Sequence, residues 1–558
     1  MKKNYIDGNV IIRDGVASVR KVVSRTTSEK LKAFGLIAMM SVATFNASAS
    51  DFSAGGFDYD ILSETDLAVE VAHRNVGYSG DIIVPSEVVY DSKTYTVKAI
   101  GETAFAFCEM LLSVTVPESV TAIGVDAFVL SPNLKSVTLP ESVNEIGSGA
   151  FDGCSHLTTV NIPRNVTVIG KNLFSGCCSL TSITIPDKVT AIGANAFAGC
   201  NRLESLTIPQ SVRAIARSAF QNCSTLKEMV IPASVTKISD NVFFGCRELT
   251  SVRFDGDVTS IGVTAFEGCG SLVSIVIPES VSSIGVGAFN ACGSLVSVEI
   301  PDKVTVVSDS LFLDCAKLQS VTIPDCVTMI GKSAFGGCTS LTSIDIPSGV
   351  NEIGAGAFDG CSALTFVSLP DGVTIIGQNL FKDCSSLASI DIPEAVTIIG
   401  SSAFEGCSAL KTIAFPAAVN TIAKNAFAGC SGLTSVCCQW ETPLECKPSF
   451  EANVLADATL NVPKGMAAKY KEVAPWSGFT HTEEMVSTSI NDIESESDVN
   501  VTVRNGIITV MGIADDTLVI IYDLHGRIVF KGTSHVINGL SAGLYVVKAG
   551  EFAVKISI

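Results

Sequence analysis

The sequence predicts a mainly β chain in which a solenoid of stacked 23-residue repeats is followed by a small antiparallel β-sandwich. A phenylalanine recurs at one position of every repeat from Phe105 to Phe450, sixteen times in all. A leucine recurs in the same register from Leu111 to Leu433, fifteen times. A constant period without insertions is typical of a solenoid, in which each repeat forms one rung stacked on the last. After Phe479 the pattern changes to short alternating runs, which are typical of antiparallel strands.

Each repeat contains two extended segments and a corner. In the fourth repeat, residues 180–186 alternate between apolar side chains, predicted to point inward, and hydroxyl side chains, predicted to point outward. Pro186 is expected to end this strand, because proline cannot donate a hydrogen bond to a ladder. The segment 189–193 (VTAIG) is predicted to be a second strand, closed by a glycine that allows a tight bend. The motif A-F-x-G-C is predicted to form the corner.

Two segments show the repeat most fully, AFAGCNRLESLTIPQSV (196–212) and AFEGCSALKTIAFPAAV (403–419). Their pattern, A-F-x-G-C-x-x-L followed by I-P, resembles the BspA-like leucine-rich repeat family. The resemblance implies a right-handed leucine-rich-repeat solenoid, which is expected over residues 100–450 with about 15 repeats. It also implies a bacterial surface or secreted protein whose usual role is adhesion and protein binding, and it implies no enzyme.

The segments that flank the repeats resemble the caps of the same family. YSGDIIVPSEVVYDSKTYTVKAIG (78–101) is similar to its strand-rich N-terminal cap, which is expected over residues 50–99. ATLNVPKGMAAKYKEVAPWSGF (458–479) is similar to its closing cap, a strand followed by a short helix, expected over residues 451–482. Such caps are expected to shield the apolar ends of the stack from water.

Fourteen of the nineteen cysteines form one column of the repeat, at Cys108 and then once per repeat from Cys154 to Cys430. Ser131 stands where the column lacks its cysteine. One inward position per rung favours buried free thiols that behave as small core hydrophobes. Scattered disulfides and a metal ladder are the alternatives. A single disulfide among the cysteines near the end of the array stays open, these being Cys437, Cys438 and Cys446.

The outward positions of the first strand are where the repeats differ most. The second outward column includes Arg253, Glu299, Asp345 and Asp391, and its later half is acidic. Phe366 interrupts the first outward column, which otherwise carries mostly hydroxyl groups, between the rungs of Asp345 and Asp391. These five residues are the predicted ligand-binding positions, for a basic protein surface or peptide. The alternative is that they are simply a soluble β surface, since an exposed charge is usually only solvated.

Charge and composition exclude several classes of function. The net charge is −19, which repels nucleic-acid phosphates and predicts no nucleic-acid partner. No Gly-rich phosphate loop, metal-ligand spacing or nucleophile–base pattern appears, so no catalytic residue, cofactor or metal is predicted. Among the five histidines only His156 lies in the repeats. The chain is therefore predicted not to be an enzyme.

The N-terminal segment, residues 1–49, is predicted to be a secretory signal peptide. It holds eight Lys or Arg against three Asp or Glu, then the apolar run AFGLIAMMSVATF (33–45) and the small residues Ala47-Ser48-Ala49. The run is short for a bilayer span, although an uncleaved anchor helix remains the alternative. No transmembrane span is expected once this signal is removed.

The C-terminal segments are predicted to be a linker over residues 483–498 and a β-sandwich over residues 499–558. The turn signals are Asn505-Gly506 and His525-Gly526. IYDLHGRIVF (521–530) and LSAGLYVVKAGEFAVKI (540–556) resemble the C-terminal sorting domain of Bacteroidota type IX secretion. The resemblance implies a role in export, and a purely structural β domain is the alternative.

The combined interpretation is a secreted or outer-membrane-surface solenoid that binds macromolecules. The expected partner is a protein, such as a host extracellular-matrix protein or another bacterial surface protein. The alternatives are a structural spacer at the cell surface and a glycan-binding accessory protein. The identity of the ligand and the oligomeric state are left open by the sequence.

Overall fold

The computed structural model describes residues 50–485, 500–504, 507–511, 513–514, 517–523, 528–533, 536–537, 544–549 and 552–557. The predicted signal peptide, most of the predicted linker and both predicted hairpin turns therefore lie outside the described residues. The chain divides into two compact units, one ending at Val258 and one beginning at Thr259, and each is described by itself. The fold is mainly β, as the sequence predicts.

The first unit begins with six strands, most of them antiparallel. Phe52 stacks on Tyr59 and Tyr90, and Tyr59 and Tyr95 are almost completely buried. These aromatic side chains give the start of the stack an apolar core of its own. The six strands are Phe52–Ala54, Phe57–Ser63, Ala68–Val71, Gly80–Ile83, Glu87–Tyr90 and Lys93–Ile100.

The rungs of the first unit carry two columns of short parallel strands. Strands from the L-x-S-V-x-I-P segment are called front strands, and strands from the V-T-x-I-G segment are called back strands. The front strands are Leu111–Thr115, Ser136–Thr138, Thr159–Val160, Glu228–Ile231 and Ser251–Phe254. The back strands are Ala122–Ile123, Glu145–Ile146, Val168–Ile169, Ala191–Ile192, Ala214–Ile215 and Lys237–Ile238.

The second unit also has front and back strands, each set forming its own column within this unit. Its front strands are Ser297–Glu299, Ser320–Thr322, Ser343–Ile344, Phe366–Val367, Thr412–Phe415 and Ser435–Cys438. Its back strands are Ser260–Ile261, Ser283–Ile284, Val306–Val307, Met329–Ile330, Glu352–Ile353, Ile375–Ile376, Ile398–Ile399 and Thr421–Ile422. Paired residues are one repeat length apart in the sequence, as in Ser343 with Phe366, so the sequence period is the rung period.

The front ladder is interrupted, which the sequence does not predict. In the fourth rung Leu180 and Ile185 are buried and Ser182 and Thr184 are exposed, so the predicted alternation is correct, but the segment forms no strand. The spacing between rungs does not explain this interruption. The rings of Phe174 and Phe197 are 5.4 Å apart, whereas those of Phe220 and Phe243 are 5.6 Å apart and the front strands of their rungs, Glu228–Ile231 and Ser251–Phe254, pair over four residues.

The phenylalanine column forms a continuous stacked spine within each unit. In the second unit Phe289 is fully buried and lies 5.5 Å from Phe266 and 5.7 Å from Phe312, measured between ring centroids. The interplanar angles of these pairs are only 3° and 8°. One rung cannot cover both faces of its own ring, so each rung depends on its neighbours for burial.

The corner contributes a third hydrogen-bonded ladder. In the second rung the backbone N–H groups of Asp126, Phe128 and Leu130 donate to the third-rung carbonyls of Ser148, Ala150 and Asp152, at 2.7–2.9 Å. Two corner positions per rung, four residues apart, have positive φ, and glycine, asparagine, serine and aspartate predominate there. These residues turn alternate N–H groups toward the neighbouring rung.

The glycine that closes the second segment precedes a turn, as the sequence predicts, since the Ala196 N–H donates to the Gly193 carbonyl at 3.3 Å. Gly193 lacks the positive φ of the corner glycines, so the turn itself does not require glycine. A Cβ atom at Gly193 would lie 2.6 Å from the backbone nitrogen of Lys171 in the preceding rung. Glycine is needed here because the two backbones approach closely.

The repeats of the second unit end in a compact aromatic cluster. Trp476 is 1% exposed and donates its indole N–H to the Leu444 carbonyl at 2.7 Å. The Tyr470 hydroxyl donates to the Trp440 carbonyl at 2.8 Å. The elements of this region are helices Ala452–Asp457 and Ala467–Tyr470, a 3₁₀ turn Trp476–Gly478, and strands Thr459–Val462 and His481–Glu484.

The C-terminal residues form two antiparallel sheets, as the sequence predicts. Ile508, Val510 and Ile537 of one sheet and Val519, Ile521 and Val547 of the other share one buried cluster. The first sheet comprises Asn500–Arg504, Ile507–Met511 and Val536–Ile537. The second comprises Val519–Asp523, Ile528–Gly532, Leu544–Ala549 and Phe552–Ser557.

Candidate binding surface

The front face of the second unit is the surface formed by the outward side chains of its front segments. Because side chains alternate along an extended segment, Val298 and Ile300 are buried while Glu299 between them is exposed. The constant register then aligns equivalent outward positions of successive rungs. A side chain at any outward position therefore has a neighbour one rung away, at the same position of the next repeat.

Three predicted binding residues lie in one outward column of this face. Glu299, Asp345 and Asp391 are exposed and occupy every second rung, with Thr322 and Ser368 in the rungs between them. Among the described residues, no hydrogen bond or ion pair engages the three carboxylates. They are free to meet a positively charged partner.

The fourth predicted residue, Phe366, lies on the same face. It is 38% exposed and pairs in parallel register with Ser343. Its rung falls between the rungs of Asp345 and Asp391, as the sequence predicts. A partly exposed aromatic side chain in the rung between two unpaired carboxylates is the kind of residue that a partner can bury.

Arg253, the fifth predicted residue, belongs to the other unit. Its guanidinium Nη1 lies 2.5 Å from Oδ1 of Asp255, two residues along the same strand end. Asp255 stands where the repeat otherwise has a proline. The structure therefore groups four of the five predicted residues and leaves Arg253 in a local ion pair.

A cleft that the sequence does not predict lies on the front face of the first unit. It has a volume of about 440 Å³ and is lined mainly by hydroxyl and amide side chains, including Thr138, Thr159, Asn161, Ser182 and Thr184. The Asn161 side chain accepts the Leu139 N–H at 2.9 Å and donates to the Leu139 carbonyl at 2.7 Å. The only sequence signal is an asparagine in a column of threonines.

The cysteine column is buried and reduced, but it does more than fill space. All nineteen cysteines are free thiols, so neither scattered disulfides nor one among Cys437, Cys438 and Cys446 is formed. The Cys200 thiol donates to the Phe174 carbonyl of the preceding rung at 3.1 Å, and the same bond recurs along the column. Burial raises the pKa of Cys154 to about 12, so the thiols stay protonated and able to donate.

Two histidines of the first unit are held by backbone carbonyls. Nδ1 of His73 lies 2.9 Å from the Thr103 oxygen, and Nδ1 of His156 lies 2.7 Å from the Pro132 oxygen. In the part of the chain that the structure describes, no group of three or more His, Cys, Asp or Glu side chains is arranged to hold a metal ion. No described helix is long and apolar enough to cross a membrane.

Comparison with solved structures finds repeat proteins of the same kind. A leucine-rich repeat protein from Bacteroides ovatus is 25% identical, with 78% of this chain and 100% of that chain covered and a TM-score of 0.45. A leucine-rich cell surface protein from Faecalibacterium prausnitzii is 27% identical, with coverages of 69% and 93% and a TM-score of 0.38. The pneumococcal vaccine antigen PcpA is 16% identical, with coverages of 79% and 99% and a TM-score of 0.39.

Comparison with curated protein sequences finds no match. The model of the BspA type leucine-rich repeat region, by contrast, matches residues 91–204, 190–319 and 307–434, in six copies. This family describes a repeat region and indicates no catalytic activity, and the leucine-rich-repeat solenoid is typically a non-enzymatic scaffold. Because the matched residues cover more than half of it, the chain belongs to the BspA type leucine-rich repeat family.

Proposed function

We propose that the chain is a secreted or cell-surface protein that binds a protein ligand through the front face of its second unit. The observation that carries this proposal is the set of unpaired carboxylates of Glu299, Asp345 and Asp391 beside the half-exposed Phe366. Aromatic residues are enriched at the centre of protein interfaces, which have a polar rim. The ligand we propose is a host extracellular-matrix protein or another bacterial surface protein with a basic contact region.

We propose the cellular location of the protein from its sequence and from its family. The basic segment, the apolar run 33–45 and the small residues 47–49 support a secretory signal over residues 1–49. Membership of the BspA type family supports a position at the cell surface. We further propose that residues 499–558 act in export as a sorting domain, which their pattern and their two antiparallel sheets support.

The test changes residues of the front face of the second unit and leaves the buried core residues unchanged. The variant F366A/D345N/D391N is compared with the unchanged chain for binding to a panel of purified host matrix proteins and purified bacterial surface proteins. We expect binding of the ligand to fall by about tenfold or more, because an anchor and two ion pairs are lost together. D345N/D391N alone is expected to leave the melting temperature unchanged, because both carboxylates are exposed, whereas F366A is expected to lower it slightly, because Phe366 is only 38% exposed.

Three outcomes separate this proposal from its alternatives. Unchanged binding of every protein ligand would contradict it, and no protein binding at all would favour a structural spacer. The same panel includes soluble polysaccharides, because the hydroxyl-lined cleft around Asn161 is suited to a polar ligand. Polysaccharide binding that is lost in N161A and kept in F366A/D345N/D391N would favour a glycan-binding accessory protein.

A further inference from the structure

The front ladder of the first unit changes at Asn161. Between the first two rungs, the Val116 N–H donates to the backbone carbonyl of Thr138 at 3.0 Å. One rung later, the equivalent Leu139 N–H donates instead to the side-chain oxygen of Asn161 at 2.9 Å, and the side-chain N–H of Asn161 donates to the Leu139 carbonyl at 2.7 Å. The side-chain amide therefore replaces a backbone carbonyl as the partner of Leu139, and Asn161 is left out of the strand Thr159–Val160.

The cleft around Asn161 has an apolar floor that water reaches. Val160 and Ile183, at the inward position of the third and fourth rungs, line the cleft and are partly exposed. The same position is almost completely buried in the rungs on either side, where Val137 is 2% exposed and Leu206 is 8% exposed. Two side chains that the repeat pattern assigns to the core are therefore accessible to a ligand in the cleft.

The fourth rung adds backbone groups without protein partners to this cleft. Its front segment forms no strand, and three of its residues, Ser182, Ile183 and Thr184, line the cleft. Their backbone N–H and C=O groups make no hydrogen bond with any residue that the structure describes. Such groups bond to water until a ligand replaces that water. The cleft therefore offers backbone donors and acceptors to a ligand.

The walls of the cleft are neutral and carry hydroxyl groups. None of the ten residues that line it is charged. Four exposed side chains of the lining have hydroxyl groups that make no hydrogen bond with a described residue, at Thr138, Thr159, Ser182 and Thr184. A hydroxyl group both donates and accepts hydrogen bonds. The volume of about 440 Å³ is within the range of small-ligand sites.

These features together favour a neutral ligand that bears many hydroxyl groups. An ionised ligand would find no opposite charge in the lining. A fully apolar ligand would leave the hydroxyl and backbone groups without partners. A sugar ring carries hydroxyl groups around its edge and apolar C–H groups on its faces. It can therefore form hydrogen bonds with the walls while one face packs on Val160 and Ile183.

An extended neutral peptide is the competing ligand, and it matches the cleft less well. Its backbone could pair with the backbone of the fourth rung. Its side chains, however, would point alternately to two sides, so only every second one would face the hydroxyl groups of the walls. A sugar offers hydroxyl groups around its whole ring, and the lining consists mostly of groups that bind hydroxyl groups.

We propose that the cleft around Asn161 binds a neutral oligosaccharide. The sugar bonds to the wall hydroxyl groups and to the backbone of the fourth rung, and it packs on the apolar floor. This site lies in the first unit and does not depend on the protein-binding face proposed for the second unit. A chain that binds both ligands has two sites, whereas sugar binding without any protein ligand would describe the accessory protein considered above.

The experiment measures trisaccharide binding to the full chain by isothermal titration calorimetry. The neutral probes are maltotriose, cellotriose, mannotriose and xylotriose, the charged probe is trigalacturonic acid, and the peptide probe is a neutral hexapeptide of alternating glycine and serine. We expect at least one neutral trisaccharide to bind, with an affinity that does not change with salt. The charged trisaccharide and the hexapeptide are expected to bind about tenfold more weakly or not at all.

Variants of the chain locate the site. S182A/T184A removes two hydroxyl groups from the wall, and we expect the affinity for the neutral trisaccharide to fall about fivefold or more. Both side chains are exposed, so the melting curve should stay unchanged. The matched control is S320A/T322A, which removes the same two outward hydroxyl groups from a rung of the second unit whose front strand is paired. We expect this control to bind the trisaccharide as the unchanged chain does.

Three results would overturn the sugar site. Failure of all four neutral trisaccharides to bind would contradict it directly. Equal loss in S182A/T184A and S320A/T322A would place the sugar outside the cleft. Tighter binding of the hexapeptide, lost in S182A/T184A, would make a peptide the ligand. The variant F366A/D345N/D391N is expected to keep trisaccharide binding, so a failure of the sugar site can be told from a failure of the proposed function.

Discussion

Most column cysteines serve two purposes, and only one of them could be predicted from the sequence. A constant inward position predicts a small buried thiol, and the column is buried as expected. The cross-rung bond could not be derived from a period alone, because it depends on where the Phe174 carbonyl points. Ser131 was the available signal, since its hydroxyl replaces the thiol and donates to Phe105 at 2.7 Å.

The donor role can be tested by paired substitutions at Cys200. C200S keeps a donor in the place that serine occupies in another rung, whereas C200A has nearly the volume of C200S but lacks the donor. The Phe174 carbonyl also accepts the Cys177 N–H, so C200A loses one of its two hydrogen bonds, worth about 1 kcal/mol. We therefore expect C200A to unfold at lower urea than C200S, as measured by circular dichroism. Equal unfolding midpoints for the two variants would contradict the donor role.

The predicted binding residues differ in how far the sequence could place them. Glu299, Asp345 and Asp391 were predictable because one register governs the whole face. The ion pair of Arg253 was missed, although an aspartate in the proline column marked it. The cleft at Asn161 lies where the front ladder stops, and the repeat pattern does not mark that place, because the alternation continues through the fourth rung although no strand forms there.

At the scale of the element, the spine ties the stability of each rung to its neighbours. F289A removes a fully buried ring that stacks on Phe266 and Phe312. We expect a loss of about 3–5 kcal/mol, which combines lost burial with a cavity. The measurement is the thermal or urea unfolding curve of the full chain. V276A, which changes a side chain of the same unit that is 83% exposed, serves as the control and should melt as the unchanged chain does. An unchanged curve for F289A would contradict a cooperative spine.

The corner shows why some elements could be predicted only in outline. Recurrent glycines in A-F-x-G-C mark it as a turn. Its first positive-φ position is filled by various residues, including Asn172, Asn195 and Ser218, so no single letter identifies it. The inter-rung hydrogen bonds follow from that backbone geometry. A repeat period predicts that rungs stack, but not which backbone groups join them.

At the scale of the whole molecule, the thiol column makes stability depend on alkaline pH. Burial raises the pKa of Cys154 and Cys361 to about 12, whereas an unfolded thiol has a pKa of about 8.5. Protonated thiols therefore stabilise the fold fully below about pH 8.5, and this contribution is lost as the pH rises toward about 12. We expect the urea midpoint to fall between about pH 8 and pH 10, followed by circular dichroism.

A variant with several column cysteines changed to serine provides the control for this pH effect. Serine does not ionise in this range, so the fall in the midpoint should become shallower. An equal fall in both chains would assign the effect to other groups.

The corner ladder has an evolutionary consequence. Its hydrogen bonds join backbone atoms of one rung to backbone atoms of the next, so they do not depend on which two copies are neighbours. Recombination between gene segments that encode similar repeats can then add or remove a whole copy and leave the backbone hydrogen bonds of each junction intact. A lineage can in this way vary how many outward positions it offers while keeping the same architecture, and selection can act on copy number before it acts on any single codon.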